Sequence, residues 1–213
     1  KHDPHVSEVL DLEKKDFLNT INKIKSRKFD QCYIYSDSIR LYLIALFSGI
    51  SHKKIYHYPF FSKRGKNFFK TAKEFTENIV KKEVDPQSKI YFDENEKQNS
   101  KKKFNISEEE KNIVCGISAS GPTKRWAIEN YIKLFENLNS KYRCKFFIAG
   151  GLNDQNLIKE ILNSSVGKNC ISFEKMTIKE TIPIISACQF YIGNDTGWGH
   201  ISSGLGLKSL FLF

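Results

Sequence analysis

Residues 194–200, Asn-Asp-Thr-Gly-Trp-Gly-His, follow directly on the apolar run Cys188 to Ile192 and lead into a short helix-like stretch. A strand that ends this way ends on groups suited to an anion. The first turn of a helix carries unpaired N–H groups and a partial positive charge. Asp195 or Thr196 can cap it, and Gly197 and Gly199 let a ligand approach the backbone. Alone, the turn indicates anion binding and no more.

A second turn of the same kind lies upstream. Ser118-Ala-Ser-Gly-Pro-Thr-Lys-Arg-Trp126 follows the strand-like run Ile113 to Ile117 and precedes a helix. Apolar spacing around both turns alternates between strand and helix periods. It predicts strand 113–117, helix 126–140 with Ile128, Tyr131, Ile132, Phe135 and Leu138 inward, strand 145–149 and helix 154–163. Strand 170–173, a helix opened by the capping box Thr177-Ile-Lys-Glu180, strand 188–192, a helix near 199–206 and strand 208–213 come next. Repeated βα units of this length give a parallel sheet with helices on both faces, which binds ligands at the carboxyl ends of its strands. Both turns fall there, so the two can face one ligand.

Upstream, Phe17, Leu18, Ile21 and Ile24 mark a helix face, Cys32 to Tyr35 a strand, Ile39 to Phe47 a helix and Lys54 to Tyr58 a strand. Phe68, Phe69, Ala72, Phe75 and Ile79 mark a third helix. The stretch from Asp85 to Lys111 is rich in Asp, Glu, Lys, Asn and Ser and reads as a linker. The expected domains are therefore residues 1–84 and 112–213, joined by 85–111.

With 213 residues the chain has room for one large or two small domains, and 17 Phe with 9 Tyr argue against disorder. Its 34 basic and 24 acidic side chains leave a net charge of +10, which favours acidic surfaces. The lysines are spread along the chain without a nucleic-acid recognition motif, so nucleic acid is not the expected partner. An anionic membrane face or a phosphorylated glycolipid accounts for the charge, as does a lysine-rich, AT-biased genome. Cys32, Cys115, Cys144, Cys170 and Cys188 are odd in number, widely spaced and set in apolar runs, the pattern of reduced core residues in a cytosolic protein. Clustered His and Cys ligands are lacking, and so no metal site is expected. No apolar run reaches the ~18–20 residues of a membrane span, and no signal peptide opens the chain. The expectation is a cytoplasmic protein, at most peripheral to the inner membrane. Gly-x-Gly-x-x-Gly, Walker, Gly-x-Ser-x-Gly and Asp-x-Asp motifs are absent, which argues against dehydrogenase, P-loop kinase, hydrolase and metal-dependent transferase classes. Asn105, Asn163 and Asn194 begin Asn-x-Ser/Thr triplets, which carry no meaning in a cytosolic protein.

The segments Thr123-Lys-Arg-Trp126 and Asp195-Thr-Gly-Trp-Gly-His200 resemble, in order and separation, the Thr-Lys-x-Trp-like and Asp-Thr-Gly-x-x-His segments of glycosyltransferase family 9, the heptosyltransferases of lipopolysaccharide core assembly. The resemblance rests on motifs over residues 110–213 and on element order over 1–85. It implies a GT-B fold of two Rossmann-like domains, the acceptor-side N-terminal one incomplete here. It implies metal-independent, inverting transfer of a heptosyl group from ADP-heptose to an inner-core acceptor, without a cofactor. Another nucleotide sugar, or a noncatalytic nucleotide-binding module, are the alternatives. The absence of Met at Lys1 and the strand pattern running into Phe213 read as a fragment, expected not to transfer sugar by itself.

Stabilising a departing diphosphate calls for cationic groups and N–H donors. Lys124, on a turn set by Pro122, suits this, and the resemblance places Lys124, Thr196 and Gly197 at the phosphates with Ser120 and Thr123 nearby; a solvated turn lysine is the other reading. The resemblance gives Asp195 and His200 donor-binding roles, against a helix cap and a solvated or packed imidazole. Trp198 either closes the sugar pocket or packs on a neighbouring loop. Met176 stands where relatives contact adenine, or fills the core. Asp154, after Ala149-Gly-Gly151, is a ribose acceptor or the cap of the next helix. The resemblance implies a general base in a Gly-Asp loop expected ahead of Lys1. In this chain Asp37 is its nearest substitute or a helix N-cap. In the segment Ser62-Lys-Arg-Gly-Lys66, Lys63 and Arg64 contact the acceptor or belong to a solvated basic loop.

Overall fold

Parallel strand pairing organises both parts of the chain. The computed structural model describes residues 3–11, 16–59, 67–119 and 121–212, and the chain divides into two units, residues 7–86 and residues 1–6 with 87–213.

In the first unit, α1 (Phe17–Lys25) starts at Asp16, whose carboxylate accepts the Asn19 N–H at 2.9 Å. Strand β1 (Cys32–Ile34), helix α2 (Ile39–Phe47), strand β2 (Ile55–His57) and helix α3 (Phe68–Val80) come after it. The two strands run parallel with Tyr33 opposite Tyr56. Alternation sends Ile34 and Ile55 into a small core with Ile24, Ala45, Leu46 and Ile50. On the other face the rings of Tyr33 and Tyr56 stack 5.2 Å apart, and Tyr35, Tyr58 and Phe75 meet edge to face.

The second unit contains α4 (Glu94–Lys103), β3 (Lys111–Gly116), α5 (Ile128–Asn139), β4 (Cys144–Ala149), α6 (Gln155–Leu162), β5 (Cys170–Ser172), α7 (Ile178–Ile185), β6 (Phe190–Asn194), α8 (Gly197–Gly204) and β7 (Lys208–Leu212). Its strands form one parallel sheet in the order β5-β4-β3-β6-β7. Odd positions of β3 pack with α5 and α6 around Tyr131, Phe135, Ile158 and Ile161. Even positions meet Ile184, Ile185, Trp198 and Ile201 of α7 and α8 on the opposite face. Chain direction across the sheet therefore reverses between β3 and β6, the switch point where open α/β sheets bind ligands. Among the described residues no helix is long and apolar enough to cross a membrane.

Residues 87–111 of the stretch expected to be a linker belong to this unit. Helix α4 has no apolar residue, so periodicity could not reveal it; Asp93 caps it by accepting the N–H groups of Asn95 and Glu96, and Glu94, Glu96 and Lys101–Lys103 complement its dipole. It packs against α7, Phe104 and Ile106 enter the core, and the Ile90 N–H donates to the Gly204 carbonyl at 2.8 Å. The predicted strand 188–192 is displaced by two residues because the Ala187 and Cys188 N–H groups still bond to carbonyls of α7. The Thr177 capping box forms as expected, with reciprocal bonds of 2.7 and 3.3 Å to Glu180.

At the switch point Gly116 of β3 lies opposite Gly193 of β6. A Cβ on Gly193 would overlap the backbone of Gly116, and one on Gly116 would overlap the Tyr191 hydroxyl. Gly193→Ala is expected to lower unfolding free energy by about 1–3 kcal/mol, read from the urea midpoint at unchanged m-value. Burial holds the thiols of Cys115 and Cys188 above their ordinary value of 9.0 and pushes Cys170 up to about 12. The unfolded chain releases these protons first, so the stabilisation is complete below pH 9 and is lost as pH rises toward 12. The urea midpoint should fall between pH 8.5 and 10.5, roughly, and less steeply in Cys170→Ala.

Candidate functional site

The carboxyl ends of β3 and β6 lie side by side, so both motif turns leave the sheet at one place. Asn194, the last residue of β6 and only 1% exposed, ties them together. Its Oδ1 accepts the Trp126 N–H at 3.1 Å, and its Nδ2 donates to the carbonyls of Ile117 at 3.0 Å and Ser118 at 3.1 Å. Beneath it, the Tyr191 hydroxyl donates to the Asn194 carbonyl at 2.9 Å and lies 3.4 Å from Thr196 Oγ1. Burial pushes that phenol up to about 12, so it stays protonated and a donor at neutral pH. Tyr131 donates to the Gly116 carbonyl at 3.1 Å, and the Trp126 ring stands edge-on to it.

Helix α8 starts on the site side of this joint. Thr196 is its N-cap residue, yet neither Thr196 nor Asp195 caps it through its side chain, contrary to the expectation from sequence. The Thr196 hydroxyl is turned toward Tyr191 instead, and among the described residues no side chain caps the first-turn N–H groups. No side chain projects from Gly197, whose Cβ position is open, whereas a Cβ on Gly199 would overlap the Phe211 ring. Asp195 and His200 are both exposed and face each other, His200 Nε2 lying 3.5 Å from Asp195 Oδ1. Trp198 packs toward the core, its ring 6.0 Å from Phe173.

Opposite, a 3-10 turn over Pro122–Lys124 carries Thr123 and Lys124, both exposed, with the Lys124 N–H bonded to the Gly121 carbonyl. Ser120 lies outside the described residues, as do Lys63 and Arg64. Asp154 is buried at 6% exposure. Its carboxylate accepts from Ser118 Oγ at 2.5 Å, Arg125 Nη2 at 3.1 Å and the Gly151 N–H at 3.0 Å. Three donors hold it, and it does not cap α6 through its side chain. It pins the first turn to the end of β4. Met176 is half-buried against the core at the head of α7 and lines a groove of 390 Å³ beside α4. Asp37 is exposed, and the N-cap of α2 is Ser38. Ser118, Arg125 and Asn194 were missed in the sequence because each works through an unrelated segment of chain. Asp154→Ala should lower stability by about 1–3 kcal/mol, because it strands three donors. Asp195→Ala should stay within about 0.5 kcal/mol; urea unfolding measures both.

Comparison with known proteins agrees with this architecture. The chain is 22% identical over 222 residues to lipopolysaccharide heptosyltransferase 2 of Escherichia coli K12, a match covering 90% of the chain and 62% of that protein. It spans about three fifths of this curated relative. The solved structure of E. coli ADP-heptose LPS heptosyltransferase II superposes with a TM-score of 0.75 at 19% identity, covering 99% of the chain and 70% of that one. E. coli heptosyltransferase WaaC with ADP-2-deoxy-2-fluoro heptose gives 0.50 at 17% identity, over 79% of the chain and 49% of WaaC. The sequence profile of glycosyltransferase family 9 (heptosyltransferase) matches residues 21–213, and with the motif turns seated at the switch point of a parallel sheet, the chain belongs to that family.

Proposed function

We propose that the protein containing this chain moves a heptosyl group from ADP-heptose to an inner-core lipopolysaccharide acceptor, inverting the anomeric centre, with residues 113–213 holding the donor. The observation that carries this reading is the uncapped start of α8, tied by Asn194 to the turn that carries Lys124. As the acceptor hydroxyl attacks the anomeric carbon, the bond to the diphosphate breaks and negative charge gathers on the departing oxygens. The N–H groups of Gly197 and Trp198 and the Lys124 ammonium answer that charge. This donor set, cationic and N–H in character, is the basis for reading the reaction as metal-independent. His200, oriented by Asp195, donates to the nucleotide sugar, and Thr123 with Ser120 completes the phosphate side. Met176 offers its thioether to the adenine face. The base that takes the acceptor proton is assigned to the Gly-Asp loop that the family resemblance places ahead of Lys1. The ADP moiety is supported by the relatives named for ADP-heptose and crystallised with its analogue.

The net charge of +10 fits an anionic glycolipid acceptor and peripheral contact with the cytoplasmic face of the inner membrane. Calorimetry without divalent metal tests the donor assignment. ADP and ADP-heptose should bind in preference to UDP, and Lys124→Ala should weaken ADP by about tenfold or more, the worth of one charge-assisted hydrogen bond. Equal affinity for UDP would shift the reading to another nucleotide sugar in the same family. Binding of none of the three would end it.

A further inference from the structure

Asn194 has one more role than joining two loops. Its three hydrogen bonds go to both feet of the first motif turn: the carbonyls of Ile117 and Ser118, where the chain leaves β3, and the N–H of Trp126, where it enters α5. Between those feet stands the 3-10 turn with Lys124. Asn194 itself is the residue before Asp195 and three before the first residue of α8. One buried amide thus fixes the span of one motif turn from the backbone of the other. Beneath it Gly116 and Gly193 are paired across β3 and β6, where a Cβ on Gly193 would overlap the Gly116 backbone.

We propose that Asn194 is a positioning residue for diphosphate: it sets Lys124 against the uncapped N-terminus of α8 so that both reach one pyrophosphate. This rests on the reading that the site holds a nucleoside diphosphate. The site asks for one acceptor and two donors on a single short planar group, and only Asn supplies them. Asp would face two carbonyls with a carboxylate, Gln is one methylene too long, and Ala leaves all three partners unpaired. Asn194 is only 1% exposed, so its effect on ADP passes through the groups it positions, chiefly the Lys124 ammonium.

A double-mutant cycle on ADP affinity reads this directly. Asn194→Ala and Asn194→Asp are each measured with and without Lys124→Ala, by calorimetry at a temperature where urea unfolding shows every variant folded. Each Asn194 variant should weaken ADP about tenfold when Lys124 is present and less than about twofold in the Lys124→Ala background, a coupling that a purely structural residue does not show. Equal losses in both backgrounds overturn the proposal. Wild-type chain that binds neither ADP nor UDP overturns the nucleotide reading and this inference with it; wild-type binding with additive losses overturns the inference alone. Hydrogen exchange of the unliganded wild type gives an answer that needs no variant. The Trp126 amide should already be protected before ADP is added, and free exchange there would show the turn unset and refute the assignment.

Discussion

The close approach of β3 and β6 is the constraint from which the rest of the second unit follows. Two glycines face each other at its upper end, and any side chain there would collide with backbone or with Tyr191. Where the two strands end side by side, a single amide bridges the loops they release, and within β6 the Tyr191 hydroxyl holds the carbonyl of Asn194. The layers on either side then have only one arrangement. Helices α5 and α6 fill one face and α7 and α8 the other, because the connections run outward in opposite directions from that central pair.

Much of this was legible in the sequence. Strands β3 to β7 announce themselves as apolar runs, α5 shows a helical stripe through Ile128, Tyr131 and Phe135, and the Thr177–Glu180 pair marks the start of α7. Signals of this sort are local, and each element carries its own. Helix α4 was not legible, since ten polar residues have no stripe to read and the helix owes its existence to a cap, to charges matched to its dipole and to a neighbour far along the chain.

The site divides in the same way. Lys124, Asp195, Gly197 and His200 stand in motif turns and were singled out there, Asp195 and His200 through the family resemblance. Asp154 was read as a ribose acceptor or a helix cap, and only the fold shows Arg125 and Ser118 converging on its carboxylate. Asn194 was passed over as part of a glycosylation triplet. Its partners at Ile117 and Trp126 are remote in sequence, and the buried amide acquires meaning only when β6 pairs with β3.

Helix α4 also bears on the order in which the molecule assembles. A ten-residue helix is too short to hold itself together in water, and this one brings no apolar face to a folding nucleus. What it has are long polar stems, such as Lys97 over the ring of Phe92, and anchors like the Ile90 bond to Gly204, more than a hundred residues away. Those anchors exist only after α7 and α8 have docked on the sheet. The segment is consequently held in its domain by bonds to partners remote in the chain and not by an apolar face of its own.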